Sequence, residues 1–332
     1  MAKRGLFGIF GIFALAVVLF FSFSVPSEGG EKVYMIGITQ IVTHPALDAC
    51  RKGFIDQMAE EGFKEGKNVK YDISSPEGDM SLAANIARKF VSQKVDLILS
   101  IATPTTQACY KAAKGTSIPV IFGAMTDPVS AGVADSWEKP GGNVTGCSDW
   151  MDVGTQIKLL MEICPNTKKV GTLYNAGEVN SKVQIEELRK AAPGLGIEEV
   201  VEATANTTSD VLSAINSLVG RVDAVWLPTD NTMISALEGI IKVCEDQDLP
   251  LFGSDTAHVD RGVIAASGVN YYTLGRESGK ISARVLKGES PAVIPVKRCP
   301  MTDLAINPLA AKRMGVQVPE SVMKKATRIV EK

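Results

Sequence analysis

Histidine is nearly absent from this chain of 332 residues, which contains only His44 and His258. Neither has a metal-ligand partner at a useful spacing, and we expect both to be capping or surface residues rather than catalytic ones. The sequence also lacks a GxSxG nucleophile elbow and a GxGxxG loop after a strand, the patterns of hydrolases and dinucleotide-binding enzymes. We therefore predict that the protein is not an enzyme, with no catalytic residue, no metal and no cofactor.

Cysteine pairs of the CxxC kind are also missing, although the chain has six cysteines. Zinc-binding and thioredoxin-type sites are therefore not supported. Several cysteines fall on the apolar phase of predicted helices, where a buried thiol is the common outcome. In an exported protein some of them could instead pair as disulfides, and the sequence leaves the pairing open.

An excess of charge of one sign is absent as well. The chain has 35 basic and 37 acidic residues, with a net charge of -2. Such a balance does not point to nucleic acid or to an anionic membrane surface. With 45% hydrophobic and 22% charged residues, the composition is that of a globular protein.

The beginning of the chain has the order of a secretory signal peptide. Two basic residues precede an uncharged apolar run at 6–21, and small residues at alternate positions follow before Pro26. We predict a signal peptide at residues 1–24, cleaved after Ser24, and a periplasmic mature protein. An uncleaved membrane anchor is the alternative, because the run is close to the shortest that spans a bilayer. Lipidation is not expected, because the nearest cysteine is Cys50.

From Lys32 onward, short apolar runs alternate with amphipathic stretches at helical spacing. Strands this apolar, separated by helices, are typical of a parallel sheet covered on both faces. The pattern starts again near Val170, and VDLILSIATPT from Val95 parallels VDAVWLPTDNT from Val222. We predict an α/β fold of two doubly wound parallel-sheet lobes joined by multiple crossovers. The expected boundaries are 31–147 plus about 268–292 for lobe 1, and 148–267 plus about 293–332 for lobe 2.

Polar side chains follow the predicted strands in both lobes. Ligands of open parallel sheets bind beyond the carboxyl ends of the strands, so these side chains are candidates for a ligand site between the lobes. Each could equally be an ordinary helix cap, because Ser, Thr, Asn and Asp favour that position. The candidates are Thr39, Gln40, Thr103, Thr105, Thr126, Asp127, Asn175, Asn180, Ser181, Asp230, Asn231, Asp255 and Asn270.

Three of these candidates suggest how a zwitterion would be held. Asp230 follows an apolar strand, and its carboxylate would accept from an ammonium group. Thr103 and Thr105, on the other lobe, lie near a helix start, where the free N–H groups and the dipole favour a carboxylate. Because Asp230 caps at most one helix on this interpretation, its loss should weaken binding with little effect on the fold.

Several long motifs resemble those of a known family. They are IGITQIVTHPALDACRKGF from Ile36, DLILSIATPTTQA from Asp96, PVIFGAMTDPVSAG from Pro119, KPGGNVTG from Lys139, VGTLYNAGEVNS from Val170, AVWLPTDNT from Ala224 and AINPLAAKRMGVQVP from Ala305. Together they resemble the ABC-transporter substrate-binding family that includes the tryptophan-binding proteins of the TrpX type. The resemblance covers the chain from Lys32 to its C-terminus.

The resemblance implies a type I periplasmic-binding-protein fold that closes on its ligand. It also implies a small-molecule ligand, an amino acid and more narrowly an aromatic one, contacted by the interlobe loops. The expected partners are an ABC permease and an ATPase on other chains, with the binding protein itself a monomer and no nucleic acid involved. A periplasmic sensor that passes its signal to a receptor is the alternative. A periplasmic enzyme is disfavoured because the candidate site lacks paired acid and base groups.

Overall fold

The computed structural model describes residues 32–331, so the predicted signal peptide at 1–24 lies outside the described residues. The strands are β1 (Tyr34–Gln40), β2 (Val69–Ser74), β3 (Leu97–Ile101), β4 (Val120–Gly123), β5 (Val144–Ser148), β6 (Lys169–Tyr174), β7 (Glu199–Thr204), β8 (Ala224–Leu227), β9 (Leu251–Gly253), β10 (Ala265–Val269), β11 (Lys297–Arg298), β12 (Met301–Ile306) and β13 (Arg328–Ile329).

The helices lie mostly between consecutive strands, as in doubly wound folds. They are α1 (Pro45–Glu60), α2 (Met80–Ser92), α3 (Thr103–Ala113), α4 (Val153–Ile163), α5 (Val179–Ala191), α6 (Val211–Asn216), α7 (Asn231–Ser235), α8 (Leu237–Asp246), α9 (Ala257–Arg261), α10 (Tyr271–Leu286), α11 (Pro308–Arg313) and α12 (Glu320–Met323). Short 3-10 turns occur at Pro193–Leu195, Thr208–Asp210 and Pro291–Val293.

The strands form two sheets, which confirms the predicted fold class. Sheet 1 has the order β11-β5-β4-β3-β1-β2, and each of its pairings is parallel. Sheet 2 has the order β13-β12-β10-β9-β8-β6-β7 and is parallel except where β12 runs antiparallel to β10. Side chains of one strand alternate between the two faces of a sheet. In β3, Leu97 and Leu99 belong to one apolar cluster and Ile98 to another. Both faces of sheet 1 are therefore covered by packed apolar residues.

The chain passes between the two sheets three times. It leaves sheet 1 after β5, returns from β10 into α10, and leaves again between β11 and β12. Several crossovers at one place make a hinge rather than a loose linker. The predicted boundary of lobe 2 at about 293 needs a correction, because Lys297 and Arg298 pair with Cys147 and Ser148 of β5. This segment therefore completes sheet 1.

Helix α10 is fixed in the sheet 1 half by close packing against α1. A Cβ added to Gly275 of α10 would lie 1.9 Å from the carbonyl oxygen of Cys50, and one added to Gly53 of α1 would lie 2.1 Å from that of Tyr272. Only glycine allows the two backbones to approach this closely. The first residue of α10, Tyr271, is thereby held at the hinge.

Candidate functional site

A cavity lies between the carboxyl ends of the strands of the two sheets, where open α/β folds bind their ligands. About 360 Å³ of space lies between its protein atoms, part of it open to solvent. Loops of both halves form its wall. The lining residues are His44, Leu47, Ala102, Thr103, Ala124, Thr126, Asp149, Asn180, Thr229, Asp230, Asn231, Ile234, Asp255, His258 and Tyr271.

The sheet 1 side of the cavity is shaped by two alanines with left-handed backbone. Ala102 follows β3 with φ 79°, and Ala124 follows β4 with φ 53°. Residues with a Cβ rarely adopt this conformation, and such strain concentrates at functional sites. The turn at Ala102 places Thr103 at the first position of α3, beside the free N–H groups of that helix.

Three buried carboxyl groups face the cavity, and no lysine or arginine occurs among the described residues that line it. Asp149 accepts hydrogen bonds from the hydroxyls of Thr126 (3.0 Å) and Tyr271 (3.1 Å), and burial raises its pKa. Burial also raises the pKa of Asp255 to about 7. A carboxylate in such surroundings is destabilised unless a cation approaches it.

Asp230 has a different environment, although its pKa is also raised to about 7, by burial and by the nearby Glu178. Its carboxylate accepts from the backbone N–H of Asn175 at 2.6 Å, the hydroxyl of Ser181 at 2.7 Å and the backbone N–H of Met233 at 2.9 Å. It thus connects the β6–α5 loop with the start of α7. Asp230 caps one helix, α7, as expected, but it also accepts from Asn175 and Ser181, so its loss would disturb more of the fold than a cap alone.

Both histidines line the cavity; the sequence suggested capping or surface residues, whereas His44 is half-buried at the N-cap position of α1 and His258 is buried. His44 precedes α1, but its side chain makes no capping hydrogen bond, and burial lowers its pKa to about 4. His258 is 2% exposed, and burial lowers its pKa well below the usual value. Both rings are therefore neutral at pH 7, each with one N–H donor and one acceptor nitrogen.

Several buried polar atoms around the cavity have no hydrogen-bond partner among the described residues. They are Thr103 Oγ1, Asn180 Oδ1, Thr229 Oγ1 and both ring nitrogens of His258. An unpaired buried polar group costs about 1–3 kcal/mol, so native proteins leave few of them. Their concentration at one cavity indicates a place where a polar ligand completes the hydrogen bonding.

The structure brings six of the sequence candidates to the cavity wall: Thr103, Thr126, Asn180, Asp230, Asn231 and Asp255. It does not bring the other seven there. Thr105 donates to the carbonyl of Ile101 at 2.6 Å, Gln40 bonds Asp48 and Arg51, and Ser181 bonds Asp230. Asp127 and Asn270 cap the segments that follow them, Thr39 is buried in β1, and Asn175 lines a second cavity nearer the surface.

The outer cavity adjoins the inner one at Asn231, which lines both. It has a volume of about 1150 Å³, part of it open to solvent. Glu178 lies in its wall and accepts from Asn180, Asn231 and Thr232, which fixes the polar segments between the two cavities. A ligand entering from this side would pass these side chains.

The candidates from the sequence do not include Asp149, the two histidines, or Thr229 and Tyr271, although the last two also follow predicted strands. Asp149 follows β5 directly, so the rule that selected the other candidates would also have found it. The histidines carried no comparable signal, because an isolated imidazole on a loop or helix start has no pattern. Only the meeting of the two halves shows that they face the same cavity.

The chain matches the family model described as "ABC transporter substrate binding protein" over residues 35–330. It is 42% identical over 287 residues to a tyrosine-binding protein of Clostridioides difficile, covering 86% of this chain and 82% of that one. A Streptococcus pneumoniae domain solved in complex with L-Trp is 37% identical, with a TM-score of 0.86, covering 90% of this chain and 100% of that one.

A ligand-free, open substrate-binding protein from Clostridium difficile is similarly related, at 38% identity and with 90% of this chain and 99% of that chain covered. Its TM-score is nevertheless only 0.68. At nearly equal identity and coverage, the chain therefore superimposes more closely on the L-Trp complex than on this open structure.

Within residues 32–331, every helix is too short or too polar to cross a bilayer. The family model covers nearly all described residues. The two relatives named above are 42% and 37% identical in sequence to this chain, and the solved one also shares its architecture. The chain belongs to the ABC transporter substrate-binding protein family, whose members bind ligands rather than catalyse reactions, and it has the type I periplasmic-binding-protein fold.

Proposed function

We propose that this protein captures an aromatic α-amino acid in the inner cavity and delivers it to an ABC importer. The carrying observation is the set of buried carboxyl groups and unpaired polar atoms that face one cavity without a lysine or arginine among its described lining residues. A relative binds tyrosine, and another was solved with L-Trp. Both ligands combine a cation, a carboxylate and an aromatic ring.

The ammonium group of the ligand would lie against Asp149 and Asp255. These carboxyls are 3% exposed each, and burial is the main cause of their raised pKa values. A charge-assisted hydrogen bond in such a place contributes about 1.5–3 kcal/mol. Asp230 is less suited to this role, because three protein donors already occupy its oxygens.

The ligand carboxylate would lie at the start of α3. The hydroxyl of Thr103 is buried and unpaired at the first position of α3, and the first N–H groups of a helix have no partner within it and favour an anion. Thr105, the other residue of the predicted pair, uses its hydroxyl within the helix instead. Of the two threonines that the sequence suggested for the carboxylate, Thr103 is the one with a free hydroxyl.

The aromatic side chain would lie against Leu47, Ile234 and the ring of Tyr271, which line the same cavity. Neutral His258 offers an unpaired donor and an unpaired acceptor. Either could bond a phenol hydroxyl, whereas an indole N–H needs the acceptor only. This difference gives the site a means of distinguishing tyrosine from tryptophan.

The experiment is to denature the purified protein, identify what co-purifies by mass spectrometry, and titrate it back by calorimetry. L-tyrosine, L-tryptophan, tyramine and 3-(4-hydroxyphenyl)propionate separate the contributions of the ammonium and carboxylate groups. We expect the compound without an ammonium group to bind at least tenfold more weakly than tyrosine. Equal binding of the two, or a co-purified ligand without a cation, would contradict the proposed site.

Closure and transport are tested separately. Small-angle scattering should show a smaller radius of gyration when ligand is added to ligand-free protein, because the three crossovers form a hinge. Uptake of the ligand into vesicles that contain the proposed partners, an ABC permease and an ATPase, tests the importer role. Binding without uptake, together with a receptor that responds to the loaded protein, would support the sensor alternative instead.

A further inference from the structure

Three of the cysteines lie together on the hinge side of sheet 1. Cys147 belongs to β5, Cys299 follows β11 directly, and Cys50 belongs to α1. All three are members of one apolar cluster, and their exposures are 0%, 6% and 0%. The ligand site uses none of them.

Cys147 and Cys299 are neighbours across the β5–β11 pair. Lys297 is the register partner of Cys147, and Cys299 lies two residues further along, on the same face. The backbone N–H of Cys299 donates to the carbonyl of Ser148 at 3.3 Å, which keeps this residue beside β5 after the strand has ended. Each thiol is close enough to shift the pKa of the other, so the two side chains are neighbours within the same apolar cluster.

We propose that Cys147 and Cys299 form a disulfide as the exported chain folds, joining two of the three crossovers at the point where they leave sheet 1. Cys147 precedes the first crossover and Cys299 begins the third. The pair is 152 residues apart in sequence, from 299 minus 147. Cross-links across long loops restrict the unfolded chain most. The proposal does not depend on the identity of the ligand.

The reaction is an exchange with a disulfide-form thiol oxidoreductase or an oxidised small thiol. The Cys299 thiolate attacks one sulfur of the donor disulfide and releases a donor thiol, forming a mixed disulfide. The Cys147 thiolate then attacks the Cys299 sulfur and releases the second donor thiol. The two cysteines lose two electrons and two protons, and the donor takes them up.

Both sulfurs are buried in the folded protein, so the exchange precedes the docking of β11 onto β5. In the undocked chain either thiolate can attack the donor first, and the other cysteine then closes the bond with the same balance of electrons and protons.

The test is to refold the full chain in a mixture of oxidised and reduced glutathione, block free thiols with N-ethylmaleimide, and map peptides by mass spectrometry. We expect Cys147 and Cys299 peptides linked with the loss of two hydrogens, and the other four cysteines blocked. Six blocked cysteines, or a link from Cys50 to either partner, would overturn the proposal. This readout needs no variant and does not depend on ligand binding.

Thermal unfolding provides the second measurement. Dithiothreitol should lower the Tm of the refolded wild type by roughly 5–10 °C. It should leave Cys147→Ser and Cys299→Ser unchanged. Cys164→Ser, at a half-buried cysteine of the other half, is the matched control and should keep the full response. Equal responses of wild type and Cys147→Ser would contradict the proposed pair even if the variant is less stable.

Discussion

The exchange Asp255→Asn should make the ligand-free protein more stable and the ligand complex weaker. Asp255 is 3% exposed, and burial is the main reason that its pKa is raised from 3.8 to about 7. A carboxyl group with that change in pKa loses about 4 kcal/mol of folding stability when it ionises in the native state. The amide removes this cost and keeps an oxygen that can accept from the N–H of Ala257, as Asp255 does at 2.8 Å.

The pH dependence of this effect has a definite sign. Below pH 4 the carboxyl is protonated in both states, so wild type and Asp255→Asn should unfold at similar denaturant concentrations. Between pH 4 and 7 the unfolded chain releases the proton first, so the wild type loses stability relative to the variant. Above pH 7 the native carboxyl is ionised as well, and the difference stays at its maximum, at most about 4 kcal/mol.

Ligand should reverse the order. A ligand ammonium group beside Asp255 stabilises the ionised carboxylate. The amide of the variant has no such charge, so the variant should bind the ligand roughly 10- to 150-fold more weakly, from a charge-assisted bond of about 1.5–3 kcal/mol. Urea unfolding of ligand-free protein at pH 4, 6 and 8, with calorimetry at pH 8, measures both effects. Asp127→Asn is the control, because Asp127 caps an exposed turn outside the cavity. A variant that is less stable at pH 8 without ligand and binds as the wild type does would refute the reasoning.

Three further predictions follow from single residues. Thr103→Val should weaken binding about tenfold with an unchanged Tm, because the Thr103 hydroxyl is unpaired in the protein. Thr105→Val should instead lower the Tm, because the Thr105 hydroxyl donates to the carbonyl of Ile101. Calorimetry measures the first effect and thermal unfolding the second. Gly275→Ala should cost about 1–3 kcal/mol in urea unfolding through its clash with α1, while Gly239→Ala, which meets no atom within 4 Å, should be neutral or stabilising. N-terminal sequencing of the secreted protein should begin at Val25, and an intact Met1 on membrane-bound protein would contradict the signal peptide.

The role of Asp230 shows where reasoning from the sequence stopped. A polar residue after an apolar strand points to the carboxyl edge of a sheet, and Asp230 does line the cavity. The sequence could not show that Asn175, Ser181 and Met233 already donate to it, because these donors come from another loop and another helix. We therefore expect Asp230→Ala to reduce stability as well as affinity.

The sequence by itself determined the fold class, the two-fold repetition of the chain and its family. These properties are local or periodic: apolar runs of strand length separated by amphipathic helices leave few alternatives to covered parallel sheets. The same holds for the general position of the site, because the carboxyl ends of parallel strands meet at one edge.

The tertiary structure decided which of the polar loop residues face the ligand cavity and which only cap their own helices. That choice depends on how two sheets, far apart in sequence, are brought together by three crossovers and by the glycine contacts of α1 and α10. It also brought together Asp149, His258 and Tyr271, which no sequence pattern connects, and gave their groups pKa values that arise from shared burial. Burial of this kind depends on atoms from every neighbouring element at once, so the residues of any one element cannot reveal it.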